Sequence, residues 1–337
     1  MSSSISLLFL CTVLHFTVDG VCAAVMAKYA VNEPDFTNIV YYFSLYNIIA
    51  FGGQWLAGLI LDKRRSLILP SLCLVPLLLA GGLVTRSGIL FQAVSVALGN
   101  CIFHVAAGIL ILERYSGFRE PGIFVSSGAV GLGLGLHRLV PASVFEIVCV
   151  VGTVSAVWLV RRSPDSQPVH CEDSSRGRLE SLLAGAVLLL VCVVLRGFGG
   201  STRIPEHVML MPCVFMLGKS AGGILCDVIG FRKTILAIFI MCFAGLQLSG
   251  LTGIITLTFA FNMTMPLTLR LLHMYFPDYP GLTFGLAAGC LLPGAFLKHS
   301  LSISPDIMAV VQFVSLFIAG YIFMRWGKGG ERQSLQQ

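Results

Sequence analysis

The chain has 337 residues, of which 56% are hydrophobic and 11% charged, with a mean hydropathy of +0.88. Soluble domains carry roughly 25% charged residues, so a chain this apolar cannot cover itself with polar surface and must use lipid as its solvent. Its net charge of +6 speaks to membrane orientation. A nucleic-acid partner would demand a basic face on an otherwise polar molecule.

A spanning helix needs about 20 mainly apolar residues. Twelve such stretches can be drawn, the first six at about 4–28, 37–61, 67–85, 88–112, 121–137 and 141–160. The second six lie at about 179–199, 206–226, 233–250, 253–272, 280–297 and 305–325. Gly88 and Gly253, with Arg86, mark the tight turns on which two of these counts depend. The first stretch lacks a basic leader and is interrupted by His15 and Asp19, so it reads as a retained helix rather than a cleaved signal. Of eleven Cys, nearly all sit inside apolar runs and only Cys171 lies in a polar loop; they read as small buried hydrophobes, not a disulfide framework.

The most polar stretch, Arg161 to Glu180, contains Pro164 and Pro168 and reads as a flexible cytoplasmic linker. It divides the chain into a six-helix half at 1–160, a linker at 161–178 and a second half at 179–337. With the N-terminus inside, the basic residues at 63–65, 114, 119, 161–162, 176, 178, 232–233, 270, 325, 328 and 332 fall on the cytoplasmic side. Lys28, Arg86, Arg138, Arg196, Arg203 and Lys298 fall outside. That bias predicts both termini in the cytoplasm; the protein is expected to be multi-pass, in a bacterial inner (plasma) membrane.

An internal repeat is the strongest signal. The second helix ends Gly58-Leu-Ile-Leu-Asp62-Lys63-Arg64-Arg65, and the eighth ends Gly223-Ile-Leu-Cys-Asp227-Val-Ile-Gly230-Phe-Arg232-Lys233. In each, a Gly leaves a groove for a neighbouring helix. The Asp one turn later, at the membrane surface, can face a basic residue of the turn or the positive N-terminus of another helix. Basic short loops after apolar helices are common, but two copies at equivalent places are harder to dismiss. The pattern resembles the signature of the major facilitator superfamily, with the second copy the fuller one. The resemblance implies an all-α membrane protein of twelve transmembrane helices in two pseudo-symmetric six-helix bundles. It also implies a gating role for Gly58, Asp62, Arg64, Gly223, Asp227, Gly230 and Arg232 in holding the halves together on the cytoplasmic side.

Two local patterns add to it. Gly99-Asn100-Cys-Ile-Phe103-His104 is similar to the fourth helix of fosmidomycin-resistance-type exporters, and Gly128, Gly131, Gly133 and Gly135 to the glycine motif of drug–proton antiporters. The Pro of that motif is missing, and Gly-rich membrane helices are often only close-packed.

Ionisable groups within spanning helices are functional candidates because burying them is costly. His15 and Asp19 lie four residues apart, as do Asn100 and His104, so each pair shares a helix face near mid-depth. In the family it resembles, helices one, four, seven and ten line a central cavity, so all four side chains are expected to converge. They would form a proton and substrate site in which Asp19, paired with His15 or His104, binds a proton reversibly; the bland alternative is a polar pair that fixes helix packing. In the second half the candidates are Asn262 and Arg196, the latter either attracting an anionic substrate or snorkelling to the interface. Glu113 and Arg114 are expected to form a cytoplasmic gate or a solvated pair, Glu146 to pair with Arg138 outside, and Lys219 to snorkel or pair within the motif region.

The expectation is a secondary active transporter without a nucleotide site: a small organic solute, an anion if Arg196 attracts it, moved by alternating access in proton-coupled export, as an antiporter. No enzyme signature and no cofactor motif are present in the sequence, and the implied partners are solute, protons and the lipid bilayer, with a monomeric protein and no nucleic acid. Two alternatives stay open: a transition-metal ion transporter using His15, Asp19 and His104 as ligands, and a transporter-like sensor or scaffold.

Overall fold

The computed structural model describes residues 3–84, 88–162, 176–199, 207–298 and 300–326. Among the described residues, twelve helical segments cross the molecule: α1 (Ser3–Asn32), α2 (Phe36–Lys63), α3 (Arg65–Leu83), α4 (Ile89–Arg114), α5 (Arg119–Leu136), α6 (Ala142–Arg162), α7 (Arg176–Gly199), α8 (Leu210–Ile229), α9 (Phe231–Gln247), α10 (Gly250–Tyr275), α11 (Pro280–Leu297) and α12 (Pro305–Trp326). No strand occurs among the described residues. Ten of the twelve are long and apolar enough to cross a bilayer unaided. The other two, α5 and α9, are 18 and 17 residues long, and α5 dilutes its hydropathy with Arg119, Glu120 and a run of glycines.

Several boundaries depart from the sequence reading. Helix α1 continues to Asn32 and α10 runs from Gly250 to Tyr275, each longer than drawn. Helix α2 is interrupted by a π-helical turn at Ile48–Gly52, and α11 is broken at Cys290. Arg161, Arg162, Arg176, Arg178 and Glu180, assigned to the linker region, belong to the ends of α6 and α7. Residues 163–175, together with Arg86, Cys171 and Arg203, lie outside the described residues.

Helices α1–α6 pack chiefly on one another, as do α7–α12. The two groups meet through α5 against α8 and α2 against α11, contacts that exchange with each other when one half is superposed on the other by helix order. Helices α1, α4 and α10 are the most enclosed of the candidate spans. Large apolar side chains such as Phe9, Leu77 and Val154 stand exposed around the outside, as they must where lipid is the surrounding medium. The molecule is an integral multi-pass membrane protein, and its even helix number puts the start of α1 and the end of α12 on one side, called here the terminal face.

Glycine decides how closely α5 lies on α1. A Cβ at Gly131 would strike the Phe16 carbonyl and one at Gly135 the Gly20 carbonyl. Only glycine lets the two backbones meet there, so these positions read as the close-packing alternative rather than as a separate motif.

Candidate functional site

The four first-half candidates converge between α1 and α4. His15 Nε2 lies 2.8 Å from His104 Nε2, 3.3 Å from Asp19 Oδ2; His104 Nε2 is 3.6 Å from Asp19 Oδ1. Asn100 Nδ2 donates to Asp19 Oδ1 at 2.9 Å. Both histidines and Asn100 are buried, and the i, i+4 spacing on each helix sets this layer.

The other nitrogen of each imidazole settles the proton arrangement. His15 Nδ1 is 2.7 Å from the Phe124 carbonyl oxygen, and His104 Nδ1 is 2.8 Å from the Asn100 carbonyl oxygen. A carbonyl can only accept, so both Nδ1 atoms carry hydrogen and donate. In neutral rings, both Nε2 atoms would then face each other as lone pairs at 2.8 Å, which is repulsive. One positive charge between them, beside the Asp19 carboxylate, turns the contact into a charge-assisted hydrogen bond or a ligand set. The three side chains offer ligand atoms that all lie within 4.8 Å of one another.

The surroundings hold this geometry. Phe103 and Phe124 flank the His15 ring at centroid distances of 6.1 and 4.9 Å. Gly128 of α5 covers the cluster so closely that a Cβ there would strike Asp19 Oδ2 and His15 Nε2. Tyr46 of α2 reaches the Cys22 thiol, which itself donates to the Val96 carbonyl at 3.4 Å. Neither Gly128 nor Tyr46 was singled out for this site from the sequence; the only hint was the spacing of the glycines.

The second half contributes cations rather than a titratable pair. Arg196 is buried, 4% exposed, so it does not snorkel to the interface. Its Nη1 donates to Thr268 Oγ1 of α10 at 3.2 Å and its Nη2 has no hydrogen-bond partner. Lys219 does not enter the motif region. Its Nζ crosses to the first half and donates to the Val125 carbonyl at 3.3 Å, next to the Phe124 carbonyl that receives His15. No ion pair among the described residues involves Arg196 or Lys219. Asn262 is not brought to the cluster; its amide donates to the Thr258 carbonyl of its own helix at 2.8 Å.

At the terminal face the two motifs do the same thing in opposite directions. Asp62 of α2 accepts from the amides of Gly281 and Leu282, at the start of α11, at 2.8 and 2.7 Å. Asp227 of α8 accepts from the amides of Phe118 and Arg119, at the start of α5, both at 2.9 Å. Each carboxylate caps a helix N-terminus of the other half, where orphan N–H groups and the helix dipole favour an anion. Gly58 and Gly223 permit the approach: a Cβ would strike the Gly281 carbonyl or the Phe118 carbonyl, respectively. Gly230 ends α8 with φ of 86°, a conformation suited to glycine.

The basic residues of the turns depart from expectation. Arg64 is exposed, and it is Arg65 that ties the face together, 2.7 Å from Glu113 Oε1, 3.6 Å from Asp62 Oδ1 and 3.3 Å from the Asp278 carbonyl. Glu113 therefore pairs with Arg65 and not with Arg114. Arg232 reaches Met324 Sδ at 3.1 Å rather than Asp227. Arg270 adds a further crossing between halves, donating to the Leu112 carbonyl at 2.9 Å. Glu146 does not pair with Arg138: the residue is half-buried and its Oε2 is enclosed without a hydrogen-bond partner.

No protein-family model and no curated protein matches the sequence. Solved structures do match in fold. A major facilitator superfamily transporter, FucP, in the outward conformation aligns with a TM-score of 0.61 and 15% identity, over 97% of this chain and 100% of that one. A bacterial homologue of the iron transporter ferroportin, in an outward-facing state, aligns at 0.60 and 15%, over 97% and 99%. A variant of the E. coli fucose:proton symporter FucP aligns at 0.55 and 14%, over 97% and 100%. The chain has the fold of the major facilitator superfamily transporters: twelve helices in two six-helix groups.

Proposed function

We propose that this protein is a secondary transporter that moves a small organic anion by alternating access, coupled to a proton held between His15 and His104 and balanced by Asp19. The observation that carries the reading is the pair of facing Nε2 atoms, each deprived of hydrogen by a backbone carbonyl at the other end of its ring. Such a site takes up and gives back one positive charge with little rearrangement. The two latches at Asp62 and Asp227 suit a molecule whose halves part and rejoin at the terminal face, which the charge bias of the loops assigns to the cytoplasm.

An anionic solute follows from the charge balance. Arg196 and Lys219 are cations with no ion-pair partner among the described residues, and buried charge without a partner is costly. A bound carboxylate or similar group would supply the missing negative charge, with Arg196 Nη2 as the free donor.

A second reading has its own support. The same two imidazoles and carboxylate suit a divalent transition metal as cargo, and one structural neighbour is a homologue of an iron transporter.

Reconstitution into liposomes separates these readings. Entry or exit of organic anions, followed by mass spectrometry with and without an imposed pH gradient, should respond to the gradient and report the direction of movement. Gradient-independent anion flux, or flux only of metal ions, would reject the proton-coupled reading.

A further inference from the structure

Away from the site, the lipid-facing surface carries a groove of about 760 Å³ between α3 and α6. Its walls are apolar: Leu77, Val150 and Val154 line it and are 70%, 44% and 66% exposed. Pro76, which cannot donate to the helix ladder, lies in the same wall of α3. The groove ends at the terminal face in Trp158, Arg161 and Arg162. The Arg162 guanidinium lies over the Trp158 ring, 4.1 Å from its centroid. Both arginines are exposed, and no ion pair among the described residues involves either.

We infer that this groove binds an anionic phospholipid of the leaflet on the terminal face, with its phosphate on Arg161 and Arg162 and an acyl chain along α3 and α6. The dimensions fit. From Val150 to Arg162 the helix rises about 18 Å, at roughly 1.5 Å per residue, a little more than half of the about 30 Å hydrocarbon core. One end therefore lies near the bilayer centre and the other at headgroup depth. The chemistry fits as well. Some lipid chain must fill an apolar groove that faces the bilayer, and the two guanidiniums decide which headgroup stays. Guanidinium forks bind phosphate oxygens bidentately. A zwitterionic lipid brings an ammonium that these cations repel, whereas an anionic lipid does not. Trp158 marks the interfacial level and holds the Arg162 side chain in place through its ring. This inference is independent of what the protein transports.

Native mass spectrometry tests it. The full-length protein is released from nanodiscs made of equal amounts of phosphatidylcholine and phosphatidylglycerol, and the retained lipids are counted. The wild type should keep phosphatidylglycerol several-fold above its share of the bilayer. The double variant R161Q/R162Q should return to the bulk ratio. Val154→Trp, which fills the groove and keeps both charges, should also lose the retained lipid. Absence of enrichment in the wild type overturns the inference, as does enrichment that survives R161Q/R162Q. Enrichment that survives Val154→Trp also overturns it, because the lipid would then sit on a basic surface rather than in the groove. Circular dichroism and size-exclusion profiles matching the wild type show that the variants are folded.

Discussion

His15 and His104 meet through their Nε2 atoms at 2.8 Å, and each ring spends its other nitrogen on a backbone carbonyl. The two hydrogens on Nδ1 leave the facing pair with one vacancy for a positive charge. Asp19 Oδ2 and Oδ1 stand 3.3 and 3.6 Å from His15 Nε2 and His104 Nε2, close enough to neutralise a positive charge placed there. Asn100 tethers that carboxylate. Four side chains from two helices thus make a single unit, and its parts should fail together.

Asn100 is the positioning residue of this unit. Asn100→Ala removes the amide that orients Asp19 but no titrating group. A hydrogen bond to a charged acceptor contributes about 1.5–3 kcal/mol, so coupled transport should fall about 10-fold or more. Asn100→Asp, which puts a second carboxylate beside Asp19, should fall further. Initial rates in liposomes across a range of pH check both, and an unchanged rate and pH profile in Asn100→Ala would remove Asn100 from the site.

Gly128 should tolerate no side chain. A Cβ there meets Asp19 Oδ2 and His15 Nε2, so Gly128→Ala must push α5 away from α1 or displace the cluster. Overpacking of this kind costs about 1–3 kcal/mol, and a lowered melting temperature with loss of transport is the expected result. Gly88→Ala is the control, because a Cβ at Gly88 meets nothing within 4 Å. Thermal denaturation in detergent compares the two.

The latches should open independently. Asp62→Asn should raise amide hydrogen exchange at Gly281 and Leu282 while leaving Phe118 and Arg119 protected, and Asp227→Asn should do the reverse. Each removes a pair of charge-assisted bonds, so protection should drop about 10-fold or more at the affected amides. Exchange rising at all four amides in either single variant would mean that one latch alone holds the terminal face closed.

Arg196 and Lys219 should set the solute charge. Arg196→Gln and Lys219→Gln should each weaken uptake of the transported anion, chiefly as a raised KM of about 10-fold or more. Lys219→Gln should in addition alter the dependence on proton gradient, since Val125, its acceptor, neighbours the carbonyl that holds His15. Unchanged KM in both variants would move the anion site elsewhere.

Much of this was legible in the chain. Twelve apolar stretches follow from the run of apolar residues along the chain, and the paired Gly-x-x-x-Asp motifs at Gly58–Asp62 and Gly223–Asp227 predicted helix ends built for close approach. The spacings of His15 with Asp19 and of Asn100 with His104 fixed a face on each of two helices. What spacing cannot say is which carbonyl a long side chain reaches. Lys219 was expected near the motif of its own helix and instead crosses to Val125. Arg65 rather than Arg64 pairs at the terminal face, because the turn after Lys63 swings Arg64 outward with φ of −130°. Gly128 and the Phe124 carbonyl were not legible as parts of the site because both belong to α5, whose approach to α1 depends on backbone contacts at Gly131 and Gly135 rather than on side-chain pattern.

The most direct test is proton flux measured with a pH-sensitive dye trapped inside liposomes that contain the protein, as a transported anion is added outside. The wild type should move protons with the solute, and Asp19→Asn should abolish that movement while the protein still exchanges solute across the membrane without a gradient. Proton movement of wild-type size in Asp19→Asn would contradict the account.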